Sequence, residues 1–325
     1  MIGKLDPETL RTIVDRTGAS NPALVTGAAY GEDAAAIDLG EETLVVSSDP
    51  ISLAAEAAGT LGVNVACNDI AAAGADPEFL TNVIFLPNDD PETVATLTDQ
   101  LDTAADDLGV TIVGGHTEYV SALSRPLLSL TAFGRTDRHV PTGGAEPGDT
   151  LLLTKGAAIE ATGIIATDFA ADIRAAGVDD ATIDRAAEFF AEISILEDSR
   201  AIREVATGMH DPTEGGVVTG LVELAAAAGV DAVVDRAAVP VRPETETVCD
   251  ALGVDPLRVF GSGALLAAVP ADEAAAARSR LADRGIEAAV IGELTPPADP
   301  EQGALVLDGE RIVDGGRDEL YPFWE

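Results

Sequence analysis

The nine residues Pro141-Thr-Gly-Gly-Ala-Glu-Pro-Gly-Asp149 hold two prolines and three glycines, and they divide the chain into two segments of similar pattern. Proline removes an amide donor and glycine relaxes the backbone, so such a run ends regular structure. On each side, apolar strand-like runs alternate with helical stretches. Before it come a short helix pattern at Pro7–Thr17, a loop, a strand at Thr43–Ser48 and an alanine-rich helical stretch at Leu53–Ala73. A strand at Phe79–Leu86, a helix at Pro91–Leu108 stopped by Gly109, and strands at Val110–Val113 and Leu127–Gly134 follow. After it come a strand at Thr150–Thr154 and helical stretches at Ile159–Ala175, Asp180–Ser194 and Leu196–Ala206. A helix opened by Gly215-Gly216 runs to Ala228. Strands follow at Ala232–Asp235, Gly263–Val269, Ala288–Glu293 and Ala304–Asp308, with a helix at Glu273–Arg284. The pattern predicts an α/β (α+β) chain of two domains, residues 1–145 and 146–325. A length of 325 residues is above the size at which one core usually splits.

Charge narrows the function. The chain carries 57 Asp and Glu against 19 Lys and Arg, a formal charge of −38, with no basic run and only 4% aromatics. Such a surface repels phosphate backbones, so nucleic acid is not an expected partner. No run of about twenty apolar residues suits a membrane span, and Met1–Asp6 carries no secretory pattern. Two cysteines, Cys67 and Cys249, make no disulfide framework. The expectation is a soluble, cytoplasmic protein from a salt-adapted organism, most of whose acids only keep the surface hydrated. Only two basic residues are lysines, Lys4 and Lys155. Lys155 follows the apolar run Thr150–Leu153 and precedes Gly156, which makes it a candidate anion contact.

Five short motifs stand out from that acidic background. Gly31-Glu-Asp33-Ala-Ala35 puts two carboxylates on a tight turn, which suits Mg²⁺ or simply a solvated turn. Ser47-Ser-Asp49-Pro50 ends an apolar strand, where sites collect in α/β folds; Asp49 also suits a turn before proline. Asn68-Asp69 interrupts the alanine-rich helix, where an uncompensated carboxylate costs several kcal/mol. Cys67 beside them reads as a small buried hydrophobe. In Gly114-Gly115-His116-Thr117-Glu118 the glycines let backbone approach a ligand. His116 shows no zinc-ligand spacing with His139 or His210. In His210-Asp211-Pro-Thr-Glu-Gly215-Gly216 the glycines open a helix whose start can hold an anion. Neither a Walker A sequence nor a dinucleotide glycine fingerprint is present.

In this order the motifs resemble the superfamily of aminoimidazole ribonucleotide (AIR) synthase, HypE, selenophosphate synthetase and thiamine-monophosphate kinase. The chain is most similar to its AIR synthase-related, HypE-like members, and Lys155-Gly-Ala-Ala-Ile-Glu-Ala-Thr162 fits that group too. The resemblance covers nearly the whole chain and implies a two-domain AIR synthase-like fold whose N-terminal domains pair into a β-barrel across a homodimer. It implies that ATP and Mg²⁺ lie between the domains. Asp33, Asp49 and Asp69 match the family's metal- and phosphate-handling acids, and Glu118 with its glycines matches a nucleotide-site loop. Carried over, the candidates are Asp33, Asp49 and Asp69 for metal. Asn68, Gly114, Gly115, Thr117, Asp211, Gly215 and Gly216 are candidates for ATP, and Lys155, His116 and Glu118 for catalysis.

The implied function is an ATP- and Mg²⁺-dependent enzyme that activates a substrate oxygen by phosphoryl transfer, on a small-molecule or protein-borne substrate. Alternatives are a small-molecule kinase of the thiamine-monophosphate type and a nucleotide-binding maturation factor with little turnover. The sequence departs from HypE, whose members end in a reactive cysteine, at Tyr321-Pro-Phe-Trp-Glu325. It departs from selenophosphate synthetases in having no cysteine in residues 1–30. A homodimer through the N-terminal domains is expected to cover the edges of Phe79–Leu86 and Leu127–Gly134.

Overall fold

A computed structural model of the chain describes residues 3–53 and 56–325. The first domain holds α1 (Pro7–Val14), β1 (Leu24–Thr26), β2 (Ala35–Asp38), β3 (Thr43–Ile51), α2 (Ala58–Ala72), β4 (Asp76–Leu86), α3 (Pro91–Leu108), β5 (Thr111–Tyr119) and β6 (Leu127–Thr136). Its strands form one open six-stranded sheet in the order β1-β2-β3-β6-β4-β5. All pairs are antiparallel except β4 with β5.

The helix α3 forms where its end signals are complete. The Asp90 carboxylate accepts the amides of Glu92 and Thr93, Pro91 sits in the first turn, and Gly109 closes the helix at φ 72°. Its face of Leu97, Leu101, Ala104 and Ala105 is buried against α2. In α2 itself every residue except Thr60 is buried. The sheet lies on one side of it, α3 on another, and second-domain elements on the rest. That enclosure explains an apolar stretch with no polar face, and it obliges Asn64, Asn68 and Asp69 to find partners inside. The expected helix start at Leu53 overlaps residues 54–55, which lie outside the described residues.

The second domain holds β7 (Asp149–Thr154), α4 (Ile159–Asp168), α5 (Ala170–Ala175), α6 (Asp180–Ala187), α7 (Leu196–Ile202), β8 (Gly208–His210) and α8 (Gly216–Ala228). It continues with β9 (Asp231–Val234), α9 (Pro243–Leu252), β10 (Leu266–Pro270), α10 (Ala274–Ala282), β11 (Ala288–Thr295), β12 (Ala304–Leu307) and β13 (Glu310–Ile312). The seven strands run β13-β12-β9-β11-β7-β10-β8. Leu151 and Leu153 of β7 join the α8 core, whereas Leu152 joins the core on the opposite face. A strand covered on both faces reads as an unbroken apolar run, as Thr150–Leu153 does.

The structure corrects several expectations. β1, β2, β8, β13 and α9 were not anticipated; the four strands span three or four residues each, too few for a period to register. Val110–Val113 is not a short buried strand. β5 continues to Tyr119 as a sheet edge, and within it only Ile112 is even half-buried. The strands at Phe79–Leu86 and Leu127–Gly134 have no free edges, because β4 and β6 are each paired on both sides. What the sheet leaves open are its two edge strands, β1 and β5, and the face opposite α2.

Candidate functional site

A cleft of about 500 Å³ lies between the domains. Its first-domain wall is the turn carrying Asp33, the end of β3 with Asp49, and Asp69 on α2. Its second-domain wall is Glu160 on α4, Ser262, and the aromatic rings of Phe260, Tyr321 and Trp324.

The three acids expected to handle metal meet here. Ser47 Oγ lies 2.5 Å from Asp69 Oδ2 and 3.3 Å from Asp49 Oδ2, and it donates within 3.1 Å of the Asp33 carbonyl. One hydroxyl cannot satisfy three acceptors at once. Burial first, then the charges of Asp49 and Asp33, holds the Asp69 carboxyl well above the usual carboxylate range. Asp211 is 2% exposed and neither carboxyl oxygen has a hydrogen bond of ordinary geometry. Burial and the Asp33 charge push it up as well.

Asp33 is held from the other domain. Its Oδ1 lies 2.8 Å from His210 Nδ1, and the Asp211 amide donates to its Oδ2 over 3.2 Å. His210 Nε2 reaches Glu223 Oε2 at 3.2 Å, and Glu223 Oε1 meets Lys4 Nζ at 2.8 Å. Burial alone would lower the imidazole pKa. The Asp33 charge and the hydrogen bonds to both acids override it and push His210 up to about 10. Glu223, despite burial, is drawn down to about 2 by Lys4 and His210.

This oxygen-rich wall fits Mg²⁺. Like charges face each other in a buried place, Asp211 offers two unpartnered oxygens, and every donor is a carboxylate or hydroxyl. Among the described residues no group of three or more His, Cys, Asp or Glu side chains is placed to hold a metal ion together. Magnesium does not demand such a group, since it keeps several waters and takes one or two carboxylates.

Other expected residues stand elsewhere. Asn68 spends its amide on the second domain: Nδ2 donates to the Ile193 carbonyl at 2.9 Å and Oδ1 accepts the Ile195 amide at 3.0 Å. Lys155 lies outside the cleft. Its ammonium donates to the carbonyls of Glu192, Ser194 and Gly263 and pairs with buried Asp198 at 3.1 Å. With its protons so committed, Lys155 is a strut within the second domain and not a free anion contact. Gly114, Gly115, His116, Thr117 and Glu118 form the exposed outer half of β5, and none lines this cleft. His116 Nε2 faces Glu118 Oε2 at 3.5 Å in solvent.

Gly215 and Gly216 open α8 with φ of 77° and 60°. A Cβ on Gly216 would stand 2.5 Å from the Val259 carbonyl oxygen, so the close approach requires glycine. The Gly215 amide already holds an anionic group of the chain itself, the Asp318 carboxylate, at 2.7 Å. Burial, against the amides of Gly215 and Leu320, brings Asp318 up to about 7.

Residues not singled out as site members include Ser47, His210, Glu223, Glu160 and Lys4. Lys4 had a signal: the lysine scarcity that drew attention to Lys155 applies to it equally. Glu160 stood inside the run Lys155–Thr162, but nothing local showed that it meets the aromatic residues at the cleft, because the elements that carry them are far apart in sequence.

The comparisons agree with this architecture. The family model "AIR synthase related protein, N-terminal domain" matches residues 31–136, and "AIR synthase related protein, C-terminal domain" matches residues 146–301. A carbamoyl dehydratase HypE from Cupriavidus necator is 32% identical over 279 residues, covering 81% of this chain and 75% of that protein. A HypE structure in complex with ATP superposes with a TM-score of 0.67 at 23% identity, covering 95% of this chain and 91% of that one. A ThiL structure complexed with AMPPCP and TMP gives 0.74 at 18% identity, covering 96% and 97%. At those identities the structural likeness establishes the fold.

Proposed function

The chain belongs to the AIR synthase related protein family, and from that premise we propose that it is an ATP- and Mg²⁺-dependent enzyme that activates a substrate oxygen by phosphoryl transfer. The observation that carries this reading is the confrontation of buried Asp69 with Asp49 and Asp33 beside the buried Asp211. Such a group of acids is costly alone and is relieved by a divalent cation. Asp33, Asp49, Asp69 and Asp211 would hold Mg²⁺, which would supply positive charge to neutralise the phosphates of a bound nucleotide. The remaining work belongs to the protein. Ser47 orients Asp69, His210 orients Asp33, and Asn68 ties α2 to the Ile193–Ile195 segment of the second domain. The names of the relatives support the nucleotide: one HypE structure holds ATP and one ThiL structure holds AMPPCP.

The same reading includes a homodimer. The sheet face opposite α2 carries Val46, Phe79, Val83, Phe85, Leu127 and Phe133, none of them buried and Phe79 45% exposed. The cross-strand pairs Val46–Phe133, Phe133–Phe79 and Leu127–Phe85 place these side chains on one surface. A second copy laid on that face covers the apolar surface and the β5 edge together. In that assembly Gly114–Glu118 lie at the interface, and it is there that we place their contribution to the nucleotide site.

Calorimetric titration with MgATP, and with ATP plus a chelator, tests the reading. Tight binding that needs the metal is expected; equal binding with and without Mg²⁺ would overturn it. Turnover products then separate activation from a kinase reaction, since a stable phosphorylated product marks the kinase.

A further inference from the structure

We propose that the second-domain wall of the cleft is a subsite for an organic cation, an amidinium, guanidinium or ammonium group on a flat apolar body, held by Glu160 and Ser262 against Phe260, Tyr321 and Trp324. The proposal deepens the reading above by naming the class of the second substrate, and it rests on that reading only for the placement of MgATP on the opposite wall.

The wall is rigidly built. The Glu160 amide donates to the Ser262 carbonyl over 3.1 Å, and the Ala161 amide donates to the Phe260 carbonyl over 3.1 Å. Two backbone bonds therefore clamp the segment 260–262 onto the first turn of α4. Glu160 is 5% exposed and has no cationic partner among the described residues. Ser262 is fully buried, lines the cleft, and its Oγ makes no hydrogen bond of ordinary geometry. The Ser262 hydroxyl and amide lean on the Glu160 carboxyl, but no cation among the described residues balances this buried acid.

Charge decides what kind. Burial pushes Glu160 up to about 8 against the hydrogen bonds of Ser262, and the charges of Glu214 and Asp318 add to the rise. The one basic residue lining the cleft, among the described residues, is Lys4, and Glu223 already holds it. An anionic group is repelled from this wall, whereas a cation relieves it. The aromatic residues give the ligand its body. Phe260 meets Tyr321 edge-on at 5.7 Å and Trp324 edge-on at 6.0 Å, and Arg317 already lies 5.4 Å over the buried Tyr321 ring, so the half-buried Trp324 offers the surface for a flat cation.

Trp324 is the only tryptophan in the chain, so its fluorescence reports this wall directly. The full chain would be titrated with benzamidine and with its neutral counterpart benzamide, in molar KCl so that the net charge of −38 does not gather cations unspecifically. The expected result is a saturable fluorescence change with benzamidine, at concentrations at least tenfold lower than benzamide requires. Glu160→Gln should erase that preference, and Ser262→Ala should weaken benzamidine several-fold. Equal responses to the two probes in wild type, or an undiminished preference in a folded Glu160→Gln, would overturn the proposal. If Glu160→Gln does not fold, the wild-type pair and Ser262→Ala decide alone. MgATP titration of wild type keeps the two readings apart. Loss of the amidine preference with metal-dependent ATP binding intact rejects only the subsite. The opposite outcome rejects only the nucleotide reading.

Discussion

His210 Nδ1 lies 2.8 Å from Asp33 Oδ1, and the two residues belong to different domains. The contact continues through Glu223 to Lys4, so four residues from separate parts of the chain form one ion chain along the cleft, buried at His210 and Glu223 and exposed at Lys4. Removing one partner of such a pair leaves a charge buried and uncompensated, which typically costs about 3–5 kcal/mol. His210→Ala should destabilise the protein by an amount of that order in denaturant unfolding. It should also weaken MgATP binding, because Asp33 loses its orienting partner.

The same chain gives stability a pH dependence of definite sign. His210 is raised from 6.5 to about 10, so its contribution is complete below about 6.5 and is lost as pH climbs toward 10. Glu223 is lowered from 4.5 to about 2, so its contribution is complete above about 4.5 and is lost as pH falls toward 2. Thermal melting should therefore be highest between about pH 4.5 and 6.5. His210→Gln should flatten the alkaline side, and an alkaline limb as steep as that of wild type would reject the protonated clamp.

Neighbouring residues in α2 should fail in opposite ways. Asn68→Ala strands the Ile193 carbonyl and the Ile195 amide, each worth about 1–3 kcal/mol when buried and unmet. A loss of about 2–4 kcal/mol is expected, in stability first. Asp69→Asn keeps the shape and removes a charge that the metal-free protein holds at a cost. That variant should be at least as stable as wild type without metal and should lose Mg²⁺-dependent ATP binding. Asp283→Asn, on an exposed helix end, should change stability by no more than about 0.5 kcal/mol and leave ATP binding alone. Equal MgATP affinity in Asp69→Asn and wild type would return Asp69 to a packing role.

These residues also mark how far the sequence could be read. α3 was legible to both ends because its signals are local: Asp90, Pro91 and Gly109 act within one turn of themselves. Asn68 and Asp69 were legible as polar residues in an apolar helix, but their partners were not. The carbonyl that Asn68 holds is 125 residues away, and only the packing of the second domain on α2 brings it near. The length and exposure of β5 were illegible for a related reason. Whether Val113 is buried depends on what covers the sheet, and its side chain meets no covering layer. For Lys155, scarcity flagged a position under constraint, yet composition carries no information on which partner imposes the constraint.

Lys155→Met tests that last point. Nζ lies 3.1 Å from Asp198 Oδ2, and the other Asp198 carboxyl oxygen is buried without a hydrogen-bond partner. Loss of the ammonium leaves Asp198 as an uncompensated buried acid and three carbonyls short of a donor. Destabilisation of about 3–5 kcal/mol is expected. MgATP affinity, measured at a temperature where the variant is folded, should stay near wild type. A large drop in affinity with stability unchanged would restore Lys155 to the anion-binding role.

The open face of the first sheet and the charge of −38 act against each other. Covering Phe79, Phe85 and Phe133 favours pairing of two copies, at about 25 cal/mol per Å² of apolar surface removed from water. Bringing two such polyanions together opposes it, over a distance set by the Debye length, about 30 Å at 0.01 M salt and 3 Å at 1 M. Pairing should therefore strengthen as KCl rises. Light scattering should give a dimer in molar KCl and a growing monomer fraction in dilute buffer, with melting temperature rising along the same series. Phe85→Glu, which puts a charge on the open face and touches nothing in the cleft, should leave a monomer of 33.1 kDa at every salt concentration. A wild-type protein that is monomeric in molar KCl would reject the dimer and leave the apolar face without an occupant.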